Sequence, residues 1–261
     1  MKFSGVKYVA RKPRARSSSG IYHIILRGIN RQRIFEDDED RLKLIKDFAK
    51  YKEISQCRIF AYCFMDNHIH ILLQESKEPI SMTIQRVSSS YVNWYNRKYE
   101  RCGHLFQERF KSEAVETDQY FLTVLRYIHQ NPIKAKIVSD AADYEWSSYS
   151  EYMWGGGITD KEYVLNMFSE RNEEAIGRLK IFLREENDDA CLEIPDIKVN
   201  VSDENLRQTV RQQFGIDAIK IGNESREKQD HILRVMKGID GSSIRQIARV
   251  VSLSPARVWK A

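Results

Sequence analysis

Ala61-Tyr62-Cys63-Phe64-Met65-Asp66-Asn67-His68-Ile69-His70-Ile71-Leu72-Leu73 is the stretch whose reading decides the fold. Two apolar, β-prone runs flank Asp66-Asn67, a dipeptide suited to a tight turn, so the pattern is strand, turn, strand. Side chains alternate faces along a strand, which puts His68 and His70 on the same face with Cα atoms roughly 6–7 Å apart. Ile69 and Ile71 then point into the core behind them. Two ring nitrogens so placed can converge on one metal ion, although a polar strand face with two alternating histidines has the same pattern.

Working outward, Ile21 to Gly28 reads as a buried strand in which His23 is a packed or hydrogen-bonded histidine. Asp37 to Asp40 precede an amphipathic helix running to about Ile54, and acidic residues favour a helix start. Pro79 opens a second long helix with Ile84, Val87, Tyr91, Trp94 and Tyr95 on one stripe, most of them core. After a short strand over Ser112 to Glu116, Thr117 or Asp118 caps a third helix. That helix is expected to end at Asn131, because Pro132 disfavours helical geometry in the residue before it. The order is strand, helix, strand, strand, helix, strand, helix. This is an α+β pattern that an antiparallel sheet with packed helices would bury.

Asp143 to Trp154 reads as a closing segment and Gly155-Gly156-Gly157 as a domain boundary. Three domains are therefore expected: a flexible basic arm over 1–20, a sheet domain over 21–154, and a charged, all-α region over 155–261. Within that region helices are expected over 166–186, 203–214 and 228–237. Near 240–261, Ile244 to Val251, a turn at Ser252-Leu253-Ser254, and a second helix from Pro255 have the layout of a helix-turn-helix, with the small Ala248 at the crossing. An ordinary helical hairpin shares that layout.

Composition narrows the partners. Residues 1–33 hold nine Lys or Arg and no Asp or Glu, more than the whole chain's net charge of +5, so the remainder is net acidic. Concentrated positive charge suits a polyanion, because neutralising phosphates releases counterions. No apolar run reaches the length of a membrane span, and no secretory leader is evident. The four cysteines form no CxxC pair, which argues against a zinc knuckle or disulfide framework and fits a reducing cytoplasm; a cytoplasmic, nucleoid-associated protein is expected.

On the third helix, Tyr127 and Asn131 stand at i and i+4 and share a face, beside an apolar stripe of Phe121, Leu125 and Ile128. A phenol and an amide one turn apart could thus be presented to the His68/His70 face. His129 lies off that face and receives no role.

These segments, taken in order, resemble the single-tyrosine HUH transposases, and more closely the REP-associated tyrosine transposases. The resemblance rests on Tyr22 to Gly28 with Arg31 to Phe35, on Met65 to His70, on Gly103 to Lys111, on Leu125 to Pro132, and on Trp146-Ser147-Ser148-Tyr149. It covers about residues 20–150. It implies a ferredoxin-like sandwich with a central antiparallel sheet. It further implies His68, His70 and Asn131 as metal ligands, Tyr127 as nucleophile, and Mg²⁺ or Mn²⁺ as the ion. The implied reaction is cutting and rejoining of single-stranded DNA through a 5′-phosphotyrosine, on hairpins such as repetitive extragenic palindromes. Two imidazoles by themselves suit zinc or manganese better than magnesium.

Arg27, Arg31, Arg33, Arg109 and Lys111 are candidate phosphate contacts, joined by Arg11, Lys12, Arg14 and Arg16 of the arm. Arg257 of the last helix is the candidate for duplex DNA. The chain continues about a hundred residues beyond the minimal transposases, which suggests added duplex recognition or regulation. Monomer and dimer both stay open. So do two other functions: a regulator that binds DNA without cutting, and a metal hydrolase that has no use for Tyr127.

Overall fold

The computed structural model describes residues 15–193, 201–239 and 242–261. β1 (Ile21–Arg27), α1 (Asp38–Ser55), β2 (Arg58–Met65), β3 (His68–Gln74), α2 (Ile80–Lys98), β4 (Lys111–Ala114) and α3 (Asp118–Lys134) follow in the expected order. The four strands form one antiparallel sheet in the order β2-β3-β1-β4. This is the α+β, ferredoxin-like arrangement.

Strand alternation sorts the two faces. Ile24 and Leu26 of β1, Tyr62 and Phe64 of β2, and Ile69, Ile71 and Leu73 of β3 pack with Leu44 and Phe48 of α1 and with Ile84, Val87, Tyr91 and Tyr95 of α2. The other face contributes Ile21, Cys63, Met65 and Leu72, covered by Phe121, Val124, Leu125 and Ile128 of α3. A register shift between Ile59 and Ala61 lets Phe60 and Ala61 both join this second core, as an extra residue in one strand does. Asp37 caps α1 in a reciprocal box with Asp40, and Thr117 caps α3, each satisfying amide donors that a helix start leaves open.

The Asp66-Asn67 turn is braced from outside. The Asp66 carbonyl accepts from Ile34 N and the Asn67 carbonyl from Gly28 N, each at 2.8 Å, and Arg41 holds the Asp66 carboxylate at 2.7 Å. Only glycine fits at position 28, where a Cβ would lie 2.3 Å from the Gln32 carbonyl oxygen and 2.9 Å from Ile34 Cγ2.

The closing segment Trp146-Ser147-Ser148 runs along β2 as a partial fifth strand. Phe64 N donates to the Trp146 carbonyl at 2.9 Å and Ser148 N to the Tyr62 carbonyl at 3.0 Å, which covers an otherwise open sheet edge. Fully buried His129 ties α3 to this segment: Nδ1 donates to the Leu125 carbonyl at 2.9 Å, and Nε2 accepts from Ser148 Oγ at 2.8 Å.

Three expectations are corrected. Pro132 does not end α3, which continues to Lys134. Its buried ring sits in the last turn, and Ile137 N donates to its carbonyl at 2.9 Å; the pre-proline restriction is a preference that packing overrides. The glycine run 155–157 is no boundary either. α4 (Tyr149–Trp154), α5 (Lys161–Asn166) and α6 (Asn172–Arg184) follow, and Leu165, Leu179 and Leu183 complete the core around α3. The chain divides instead between Ile194 and Pro195. Thirdly, the end of the expected arm is anchored. Ser18 N and Oγ donate to the Glu116 carboxylate at 2.9 and 2.6 Å, and Ser19 Oγ to the Val115 carbonyl at 2.6 Å. Residues 1–14 lie outside the described residues.

The second unit contains α7 (Asp203–Phe214), α8 (Arg226–Lys237), α9 (Ile244–Val251) and α10 (Pro255–Lys260) around its own core of Leu206, Val210, Leu233, Met236, Ile247, Val250 and Val258. Ser252 takes the left-handed conformation that closes α9, and Ser254 caps α10. No described helix is long and apolar enough to cross a membrane.

Burial holds His129 neutral and lowers its pKa from 6.5 to about 4, with the Leu125 carbonyl opposing. The unfolded chain takes up this proton below about pH 6.5 while the folded chain resists it to about pH 4. Stability is therefore lost as pH falls through that window, on the order of 2 kcal/mol by pH 5 for this residue. Urea unfolding at pH 7 and pH 5 should show a smaller loss for His129→Gln than for the parent. Equal losses would contradict this.

Candidate active site

The site is set by the pairing of β1 with β3. Ile25 lies opposite His70 and Arg27 opposite His68, while His23 lies opposite Leu72. Residues directly opposite share a face, so His23, Arg27, His68 and His70 all stand on the side covered by α3. Lys111 and Glu113 of β4, opposite Ile25 and His23, extend this face by one strand.

The rings are close. His68 and His70 have centroids 5.0 Å apart, nearly perpendicular at 81°. His23 stacks on His70 at 5.2 Å, with its Nε2 3.0 Å from His70 Nδ1. The Tyr127 ring meets His70 edge-on at 5.6 Å and His23 at 5.9 Å. The phenol and the histidine pair of the sequence reading are thus neighbours. Asn131 follows one turn later, its Nδ2 donating to the Tyr127 carbonyl at 3.3 Å, which leaves its amide oxygen as the end with ligand character.

Burial lowers the pKa of His23 to about 3. It also pushes His70 well below its ordinary value, helped by the neighbouring charges of His23, His68 and Arg27. Both are neutral imidazoles at neutral pH, the form that binds metal. The outer nitrogens are spoken for. His68 Nδ1 lies 2.6 Å from Asn67 Oδ1, an acceptor, so Nδ1 carries the proton and Nε2 is left as a lone pair. With the proton on His70 Nδ1 and His23 Nε2 accepting it, His70 Nε2 is the unprotonated nitrogen of its ring. No group of three His, Cys, Asp or Glu suited to a metal occurs among the described residues. The paired imidazoles would supply two nitrogens to a cation, with an amide oxygen and water or phosphate completing its shell. That donor set fits a six-coordinate ion such as Mn²⁺.

One partner was not visible in the sequence. Residues 185–193 cross α3: Arg126 pairs with Asp189 at 2.8 Å and Glu185 at 2.9 Å, and Gln130 Nε2 donates to the Leu183 and Glu185 carbonyls. Leu192 N donates to Glu113 at 3.1 Å, and the Tyr127 hydroxyl donates to Glu193 Oε1. Burial, and then the Glu193 carboxylate, push the Tyr127 pKa well above 10. No spacing rule links positions so far apart in sequence.

The candidate cations scatter. Half-buried Arg27 stands beside His68, and Lys111 is exposed on the same sheet face. Arg33 is exposed and lies 3.9 Å from Asp66, Arg31 has a left-handed backbone in the braced loop, and Arg16 is exposed. Arg109 lies in the loop before β4, against the opposite sheet face. Arg11, Lys12 and Arg14 lie outside the described residues. Arg257 is paired inside its own unit, to Asp230 at 2.7 Å and Gln229 at 3.0 Å, with its side chain only 15% exposed.

No curated protein matches the chain. Among solved structures, a REP-associated tyrosine transposase bound to a REP hairpin is 17% identical, covering 59% of this chain and 95% of that one, with a TM-score of 0.49. A transposase candidate from Deinococcus radiodurans R1 is 16% identical, covering 46% of this chain and 97% of that one, with a TM-score of 0.33. The profile of the family described as "Transposase IS200 like" matches residues 16–131, the segment that carries His68, His70, Tyr127 and Asn131. Through that segment the chain is similar to the IS200-like transposase family.

Proposed function

We propose that the protein is a metal-dependent strand transferase that cuts and rejoins single-stranded DNA at hairpins through Tyr127. The observation that carries this reading is the Tyr127 ring 5.6 Å from His70, on the face that also presents His68. His68 Nε2, His70 Nε2 and the Asn131 amide oxygen would hold Mn²⁺ or Mg²⁺. A bound divalent ion supplies Lewis-acid polarisation of the scissile phosphate.

Tyr127 Oη attacks phosphorus, and the phosphorus bond to the 3′ oxygen breaks. The phenolic proton passes to water, and the departing 3′ oxygen takes one up from water, so no proton is gained or lost overall. The product is a 5′-phosphotyrosine with a free 3′-hydroxyl, and a second 3′-hydroxyl reverses the step without added energy. Arg27 and Lys111 flank the pair and suit the neighbouring phosphates. Recognition of duplex DNA by α9 and α10 is a separable part of this proposal, and with Arg257 engaged it would fall to other residues.

His23 acts through His70. Its Nδ1 is buried with no hydrogen-bond partner, an arrangement that costs free energy and so serves something other than its own bonding. Accepting from His70 Nδ1 orients the ligand ring.

Three outcomes follow. On denaturing protein gels with labelled hairpin DNA and Mn²⁺, the wild type forms a slow-migrating adduct that Tyr127→Phe and EDTA abolish. Cutting that survives in Tyr127→Phe would make water the nucleophile and the protein a hydrolase. His23→Leu weakens Mn²⁺ binding, read as free Mn²⁺ by EPR, by about 10- to 100-fold; unchanged affinity would contradict its orienting role. Glu193→Gln speeds adduct formation, because a carboxylate on the phenol favours its neutral form and repels phosphate. Slower adduct formation would instead make Glu193 the proton acceptor.

A further inference from the structure

The second unit gathers unmatched positive charge on one side of α8. Arg226, Asp230, Arg234 and Lys237 stand at i, i+4, i+8 and i+11, a single stripe of the helix. We propose that this stripe is a binding site for backbone phosphates of duplex DNA, a reading that rests on the recognition of duplex DNA by α9 and α10.

Packing leaves the stripe accessible. Ile232, Leu233 and Met236 turn the apolar side of α8 into the core of the unit. Arg226 and Arg234 are exposed beside it, and Lys237 is half-buried. α10 comes alongside, where Arg257 pairs with Asp230 at 2.7 Å and Arg234 Nε donates to the Ala261 carbonyl at 2.9 Å. Arg226, Arg234, Lys237 and Arg257 thus surround one carboxylate, and Arg257 has taken it. Glu227, exposed on the neighbouring edge, leaves the balance positive.

Other cations of the unit are neutralised where they stand. Arg249 is matched to Asp203, Arg211 to Asp217 and Lys228 to Glu224. Among the described residues no carboxylate pairs with Arg226, Arg234 or Lys237. Burial, and then the like charge of Arg234, hold the Lys237 pKa below its ordinary value against the pull of Asp230. An ammonium kept charged in such surroundings costs free energy, and an anion beside it removes that cost.

The shape of the stripe selects the anion. From Arg226 to Lys237 it runs roughly 16 Å along the helix axis. One strand of a duplex carries a charge per about 3.4 Å of its axis, so several phosphates can lie along the stripe, whereas a compact phosphate would meet one end. The neighbour α10 is the second helix of the α9–α10 turn, the place from which such a motif reaches base edges in the major groove. Contacts to phosphate fix the register of a protein on the duplex. Arg257, held by Asp230, then serves to keep α10 against α8.

The test is the salt dependence of duplex binding by the full chain, read by fluorescence anisotropy with a labelled duplex of arbitrary sequence. In a plot of log affinity against log salt, Arg226→Gln/Lys237→Gln should be shallower than wild type by about two, one for each phosphate contact removed. Arg226→Gln alone, an exposed change that breaks no pairing, should account for about one. Lys228→Gln, on the far side of α8, should keep the wild-type slope. A double variant with the wild-type slope, or a Lys228→Gln slope just as shallow, overturns the site. Displacement of the duplex from wild type by inorganic pyrophosphate at fixed ionic strength, absent in the double variant, would overturn it in favour of a small phosphate compound. Wild type that binds no duplex would overturn the duplex reading itself and the site with it. Adduct formation on hairpin DNA, measured in the same samples, should be equal in wild type and all three variants. An adduct lost only in the double variant would place the stripe in the cleavage reaction and overturn its assignment to duplex DNA.

Discussion

The antiparallel register of β1 against β3 is the constraint on which the site depends. With Ile25 opposite His70, the side chains of His23, Arg27, His68 and His70 fall on one face, and the intervening isoleucines and leucines fall in the opposite core. A slip of one residue would turn both sets inside out. The brace on the Asp66-Asn67 turn, from Gly28, Ile34 and Arg41, holds the register at its open end. Sheet pairing and site geometry are therefore the same interaction seen from two sides.

The resting electrostatics follow from burial. His23, His70 and His129 are neutral because water is excluded from them. Tyr127 is held protonated by the same exclusion and by Glu193. In the proposed reaction the imidazoles are thus in the form that binds a cation, while the phenol rests in its unreactive neutral form. On the proposed function, a cation and a DNA phosphate arriving together would change both terms at once, since positive charge favours phenolate and phosphate competes with the carboxylate.

Local periodicity made much of this legible. Alternation around the histidines, the i, i+4 pair on α3 and the apolar stripes of α1 and α2 each encode a face, and the faces determine the layers. What stayed hidden depends on contacts between segments distant in sequence. His23 reads as a packed histidine until β1 is placed beside β3. Glu193 has no motif relation to Tyr127. The glycine run at 155–157 looks like a boundary, but Leu165, Leu179 and Leu183 beyond it are needed to bury α3. Arg257 on a short basic helix looks free until Asp230 appears beside it.

The central claim is that Tyr127 itself becomes joined to DNA, and peptide mapping by mass spectrometry after reaction with hairpin DNA and Mn²⁺ tests it most directly. The account predicts a nucleotide remnant on the peptide carrying Tyr127 and on no other tyrosine. A remnant on Tyr120, which shares α3 but bonds to Glu113, or on none, would contradict it.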